Sequence, residues 1–216
     1  MKKLIVSLLC LCAVSYAHAQ LSFGPEAGLQ YTNYPGKTNG EKDDAKGRVG
    51  FRIGGVVDVP VSGHFYFQPG LLYVRNGYKF DNVVVTFTGK VDALQIPLNV
   101  LFKAGKPGGE RFFFGVGPYV AFNLGGSVER NYYGTKETHS FEIGNDALND
   151  DLKRTDIGIG LNVGYQLSNN LFMRAHYQRG FVNLLPGGDV NNATYSTNAG
   201  ASVGYLFGGT RKAGKK

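Results

Sequence analysis

Beyond its first twenty residues the chain holds three histidines, His64, His139 and His176, and no cysteine. With the acids and hydroxyls around them, these are the side chains that could do chemistry. His139 lies in "ETHSFE", beside Ser140 and among acids. A base next to a hydroxyl is the beginning of a nucleophilic arrangement, but the spacing fixes no geometry for one. "GNDALNDD", Gly144 to Asp151, offers Asp146, Asp150 and Asp151 to a divalent cation. That spacing is not an EF-hand, so a solvated acidic loop is the default. Spacings such as C-x-x-C and H-E-x-x-H are absent, and no glycine loop precedes a helix to cradle a phosphate. The chain is therefore expected to be non-enzymatic, without cofactor or metal.

A second set of charges is more informative. Glu26, Arg48, Arg52, Asp58, Asp156, Arg174 and His176 all fall on one face of segments that alternate with period two. Glu26 and Arg52 belong to segments expected to be neighbours, at similar depth. A buried charge without a partner is costly, so the two are expected to pair, with Arg174 reaching them across a narrow interior.

The segments themselves are easy to trace. In "RFFFGVGPYVAFNLGG", Arg111 to Gly126, one register reads Phe112, Phe114, Val116, Pro118, Val120, Phe122, Leu124. The other reads Arg111, Phe113, Gly115, Gly117, Tyr119, Ala121, Asn123, mostly small or polar. Seven more such segments are legible: Leu21 to Tyr31, Arg48 to Val59, Phe65 to about Lys79, about Val91 to Lys103, Asp156 to Gln166, Leu171 to Gln178, and Asn198 to Phe207. "VVVTFTGK" ahead of the fourth also reads as extended, so the third and fourth could project as a hairpin. Connections alternate long and short. The longest break runs from Gly125 to about Thr155.

Soluble sandwiches bury their apolar faces. Here the opposite arrangement suits the sequence: apolar outward to lipid, polar inward. The expected fold is all-β, an eight-stranded antiparallel up-and-down transmembrane barrel with short periplasmic turns and long outer loops. Closure satisfies every backbone group, and eight strands leave an interior just wide enough to be filled by side chains. The four loops centre near Gly40, Val84, Thr138 and Val190. Outward aromatics, such as Phe65 and Phe102 at one end and Tyr31 and Tyr177 at the other, fit interfacial girdles.

The chain's start agrees with an exported protein. Lys2 and Lys3, the run "LIVSLLCLCAV" and Ala17-His18-Ala19 read as a secretory signal over residues 1–19, too short to span a bilayer as a helix. Its removal takes away both cysteines, Cys10 and Cys12, and leaves a formal charge of +5. Residues 20–207 form the barrel domain, and 208–216 form a basic periplasmic tail. The positive charge is too dispersed to argue for nucleic acid. Outer-membrane lipid and lipopolysaccharide are the expected surroundings.

"FQPGLLYVRNGYK" (Phe67 to Lys79), "LQIPLNVLFK" (Leu94 to Lys103), "GVGPYVAFNLGG" (Gly115 to Gly126), "DIGIGLNVGYQL" (Asp156 to Leu167) and "AHYQRGFVNL" (Ala175 to Leu184) resemble, in that order, the PorT-like outer-membrane β-barrel family of Gram-negative bacteria. The resemblance covers essentially the whole chain after the signal. It implies an eight-stranded outer-membrane barrel and a link to secretion complexes or other envelope proteins; it supplies no catalytic residues.

Two candidate sites follow. The first is a lumen polar network of Glu26, Arg48, Arg52, Asp58, Arg174 and His176, a rigid plug or, alternatively, the constriction of a narrow porin-like channel. The second is the third loop, with Tyr132, Tyr133, His139 and Phe141 as partner contacts, since loops on rigid scaffolds commonly carry function. A lipid-modifying enzyme using His139 and a soluble lipocalin-like carrier are the remaining alternatives.

Overall fold

The computed structural model describes residues 21–42, 46–81, 85–106, 108–132 and 135–208. The expected signal segment, Val84, Tyr133 and the basic tail beyond Gly208 lie outside them. Eight long strands dominate: β1 (Ser22–Asn33), β2 (Lys46–Ser62), β3 (Phe65–Asp81), β4 (Val85–Ala104), β5 (Arg111–Tyr132), β6 (Thr155–Gln166), β7 (Leu171–Gly180) and β8 (Thr197–Tyr205). Each pairs antiparallel with its sequence neighbours. β8 returns to β1 from Glu26↔Gly204 to Asn33↔Thr197, which closes the ring.

The ring leaves its apolar face outside. Phe112, Phe114, Val116, Phe122 and Leu124 of β5 are exposed, while Arg111, Phe113, Gly115, Tyr119 and Asn123 between them are buried. The same holds around the ring: Phe23, Leu29, Ile53, Leu71, Val100, Leu161, Met173 and Val203 face out. An exposed apolar band of this extent has no place in water. From Phe112 to Leu124 it runs about 40 Å along the strand, about 28 Å after a 45° tilt, enough to cross an outer membrane. Aromatic rings mark its lower edge, where Phe65 meets Phe102 at 5.5 Å and Phe23 meets Phe207 at 6.0 Å.

The three short turns each use a left-handed residue: Gly63 between β2 and β3, Gly105 and Gly108 between β4 and β5, and Asn170 between β6 and β7. The other end differs from a set of irregular loops. β3 and β4 stay paired out to Asp81↔Thr86, and β5 continues past Gly126 to Tyr132 before returning as a short strand, Thr135–Ser140. Much of the expected loop from Gly125 is therefore strand. Its polar sequence hid this, because a sheet wetted on its faces has no apolar alternation to reveal it.

Close packing inside depends on glycine. A Cβ on Gly117 of β5 would lie 2.1 Å from the Leu98 carbonyl oxygen of β4. Gly117→Ala is expected to destabilise the barrel by roughly 1–3 kcal/mol through overpacking. Urea unfolding in detergent micelles or vesicles measures this; an unchanged midpoint would show that the strands part without strain.

Candidate functional site

The interior is built by interleaving large and small residues. Glu26 faces Gly54 on one side and Gly204 on the other. Arg52 faces Gly28, Arg174 faces Gly164, and His176 faces Gly200. Each long polar side chain thus has a glycine as its cross-strand partner, and other interior side chains fill the room this leaves, Phe172 over Gly204 and Phe113 over Gly164.

At mid-depth Glu26 gathers two cations. Arg52 Nε lies 3.6 Å from Glu26 Oε1, and Arg174 Nη1 lies 3.2 Å from Oε2. The Ser202 hydroxyl donates to Glu26 Oε1 at 2.8 Å. All three charged side chains are buried. The Arg174 guanidinium also sits 5.3 Å from the Phe172 ring and 5.7 Å from Phe113, contacts that stabilise a desolvated cation. His176 is buried near this group, but neither ring nitrogen makes a hydrogen bond to any described residue.

The network runs on toward the periplasm. Arg174 donates to Gln68 Oε1, and Gln68 Nε2 donates to Asp58 Oδ1 at 2.9 Å. Asp58 pairs with Lys103, which donates to Gln166 Oε1 at 3.0 Å. Arg111 donates to the same oxygen at 3.1 Å and to the Tyr66 hydroxyl at 2.6 Å. Lys103 and Arg111 are further members of this network, beyond those expected from the sequence. The signal was present: both share their strand's inward parity, Lys103 with Gln95 and Asn99, and Arg111 with Asn123.

Arg48 does not join this network. It pairs with Thr32 of β1, four residues along β2 from Arg52 and so roughly 13 Å higher. A bulge between Gly47 and Phe51 re-aims the strand there, and the Arg48 stem crosses Gly77 of β3. Nor is the interior polar throughout. Val56, Leu101, Phe113, Phe172 and Leu206 form an apolar collar at the periplasmic end, and Leu72, Val74 and Ala93 form another patch.

Above mid-depth the lumen is amide-rich: Asn162 donates to Asn99 at 3.0 Å, Gln95 to Gln178 at 3.3 Å, and Gln30 to Asn76 at 2.7 Å. Asp156 accepts from Ser196 at 2.5 Å and Tyr119 at 3.1 Å.

The outer mouth is covered by its own loops. Gly36–Thr38 pairs with Ala193–Thr194, which joins the first loop to the fourth. Gly40 N donates to Asn191 O at 2.9 Å, and Lys153 N to Leu184 O at 2.8 Å. The amides of Asn192 and Asn191 hold the Asp189 carboxyl below the usual carboxylate range and fix the fourth loop. Tyr34, Val91 and Leu184 are buried in this cap, with Tyr78, Phe141, Leu152 and Val182 packed on them. Of the loop candidates, Phe141 therefore belongs to the cap, where its ring lies over Gly126. Tyr132 and His139 are exposed on the projecting sheet. No group of three or more metal-type ligands occurs among the described residues.

The arrangement is a closed ring of strands with a mostly polar interior and an apolar outer face. Residues 16–186 match the family described as outer membrane protein beta-barrel domain. The chain belongs to this family. As a member it resides in the outer membrane, a small barrel with short periplasmic turns and long outer ends. No curated protein sequence matches it. Among solved structures, the barrel is similar to the attachment invasion locus protein Ail of Yersinia pestis, at 13% identity and TM-score 0.44 over 87% of this chain and 99% of that one. It is similar to neisserial surface protein A, at 12% identity and TM-score 0.45 over 86% and 97%. It is likewise similar to OprG of Pseudomonas aeruginosa, at 9% identity and TM-score 0.46 over 88% and 97%. The Y. pestis protein has also been crystallised with the heparin analogue sucrose octasulfate.

Proposed function

We propose that this outer-membrane barrel is a non-enzymatic surface-binding protein whose contact element is the sheet projecting beyond the membrane. The observation that carries this reading is the strand Thr135–Ser140. All six of its residues are exposed, and it pairs with β5 alone among the described strands. An open edge of this kind pairs with an added strand through main-chain hydrogen bonds. Lys136, Glu137 and His139 discourage indiscriminate pairing while leaving the backbone accessible. The partner would be an envelope or secretion-complex protein, as the PorT-like resemblance suggests. Tyr132 is placed beside the edge to assist, and Tyr133 is proposed with it.

The bilayer side has its own candidate contact. Lys90, the Arg75–Asp92 pair and Leu124 line a depression of about 500 Å³ at the upper edge of the apolar band. We assign it to lipopolysaccharide phosphate. The buried ion cluster and the amide pairs that cross the lumen favour a plug over a conducting pore.

The edge is testable at single-residue level. Phe141 N donates to Gly126 O, so by alternation the amides of Lys136, Thr138 and Ser140 point to the open side. Thr138→Pro removes an edge donor and leaves the β5 ladder intact. It is expected to reduce partner recovery from solubilised outer membranes about tenfold, while Thr138→Ala does not. Equal recovery by both variants would refute edge pairing.

A further inference from the structure

A cavity of about 280 Å³ lies within the outer cap, apart from both the projecting edge and the lumen network. Four aromatic rings line it: Tyr34, Tyr78, Phe80 and Phe141. Tyr78 stands edge-on to its neighbours, 5.7 Å from Tyr34 and 5.7 Å from Phe80. Asp151 supplies a carboxylate at the wall, and Thr38 and Thr194 supply hydroxyls.

The walls are preformed. They come from the first, third and fourth loops and from the β3–β4 hairpin, and the loop strands are hydrogen-bonded to one another. Asp151 is held by its own loop, its Oδ2 accepting from Glu142 N at 3.0 Å and its amide donating to Glu142 O at 2.9 Å. The third loop adds Asp146 and Asp150 nearby in sequence. Several aromatic rings beside one carboxylate are the chemistry that recognises an organic ammonium ion, through the ring quadrupoles and charge pairing. The volume falls below the range of drug-sized pockets, which sets the ligand as a small one.

We infer that the cap holds a binding site for a small organic ammonium group, caged by Tyr34, Tyr78, Phe80 and Phe141 with Asp151 as counter-ion. Phe141 then has a role in this cage rather than in protein contact.

The test uses the full-length barrel refolded in detergent, with choline chloride as probe and 3,3-dimethyl-1-butanol as its neutral isostere. Saturation-transfer NMR and calorimetry read the binding. Choline is expected to bind about tenfold more tightly than the isostere, and Asp151→Asn and Tyr78→Leu are each expected to weaken choline by about tenfold. Asp151 is exposed in a loop, so its variant keeps the test open if Tyr78→Leu fails to fold. Phosphatidylcholine vesicles, against phosphatidylglycerol vesicles, identify the source. Selective capture of the former assigns a lipid headgroup, and choline binding without it assigns a free solute. Equal binding of choline and its isostere, or binding of neither, overturns the proposal.

Discussion

Glu26→Ala is expected to lower the unfolding free energy by roughly 3–5 kcal/mol, the cost of leaving buried cations without their counter-charge. Glu26 is the acid shared by Arg52 and Arg174 at mid-depth, and all three side chains are buried. Its loss sets two guanidinium groups against each other in a low-dielectric interior. Arg52→Met should cost less, because Glu26 keeps Arg174 and the Ser202 hydroxyl. Combining Glu26→Ala with Arg52→Met and Arg174→Met should recover much of the loss, since apolar replacements of a buried ion cluster are often near neutral. Urea titration of barrels in lipid vesicles measures the series. A loss under about 1 kcal/mol for Glu26→Ala would mean that water reaches the cluster, and would favour the alternative channel reading.

The second large effect concerns the outer face. Leu161 of β6 lies midway along the band, between Val116 of β5 and Tyr177 of β7, which therefore sits deeper than the interfacial girdle expected for it, and the Leu161 side chain is exposed. Leu161→Arg is expected to cost about 2–4 kcal/mol in a bilayer, because a cation is placed at the midplane. The same change at Tyr31, near the outer interface, should cost about 0–1 kcal/mol. This depth dependence distinguishes a membrane barrel from a soluble one. In water an arginine on an exposed face would be almost without effect at either position. Equal, small effects at both sites would therefore remove the membrane assignment.

The eight strands could be read from the chain because lipid and a packed interior impose opposite demands on alternate residues. That contrast made β5 and β6 plain from Phe112, Phe114 and Val116 or Ile157, Ile159 and Leu161 alone. It also placed Glu26, Arg52 and Arg174 on one side of the wall. The contrast disappears beyond the membrane. Val128 to Tyr132 and Thr135 to Ser140 meet water on their faces, so their pairing left no periodic trace. Phe141, Tyr34 and Leu184 have no common period either, since residues that meet in a cap come from unrelated loops.

Parity along each strand, and so orientation and location, came from sequence alone: side-chain direction alternates with every residue, and a bilayer rewards only one assignment. Depth did not. Whether Arg48 reaches Glu26, whether Lys103 finds Asp58, and whether four rings and Asp151 line one cavity depend on register, bulges and loop pairing between distant segments. Those are set by the closed ring, in which each strand's height is fixed by both neighbours at once, and no single segment carries that information.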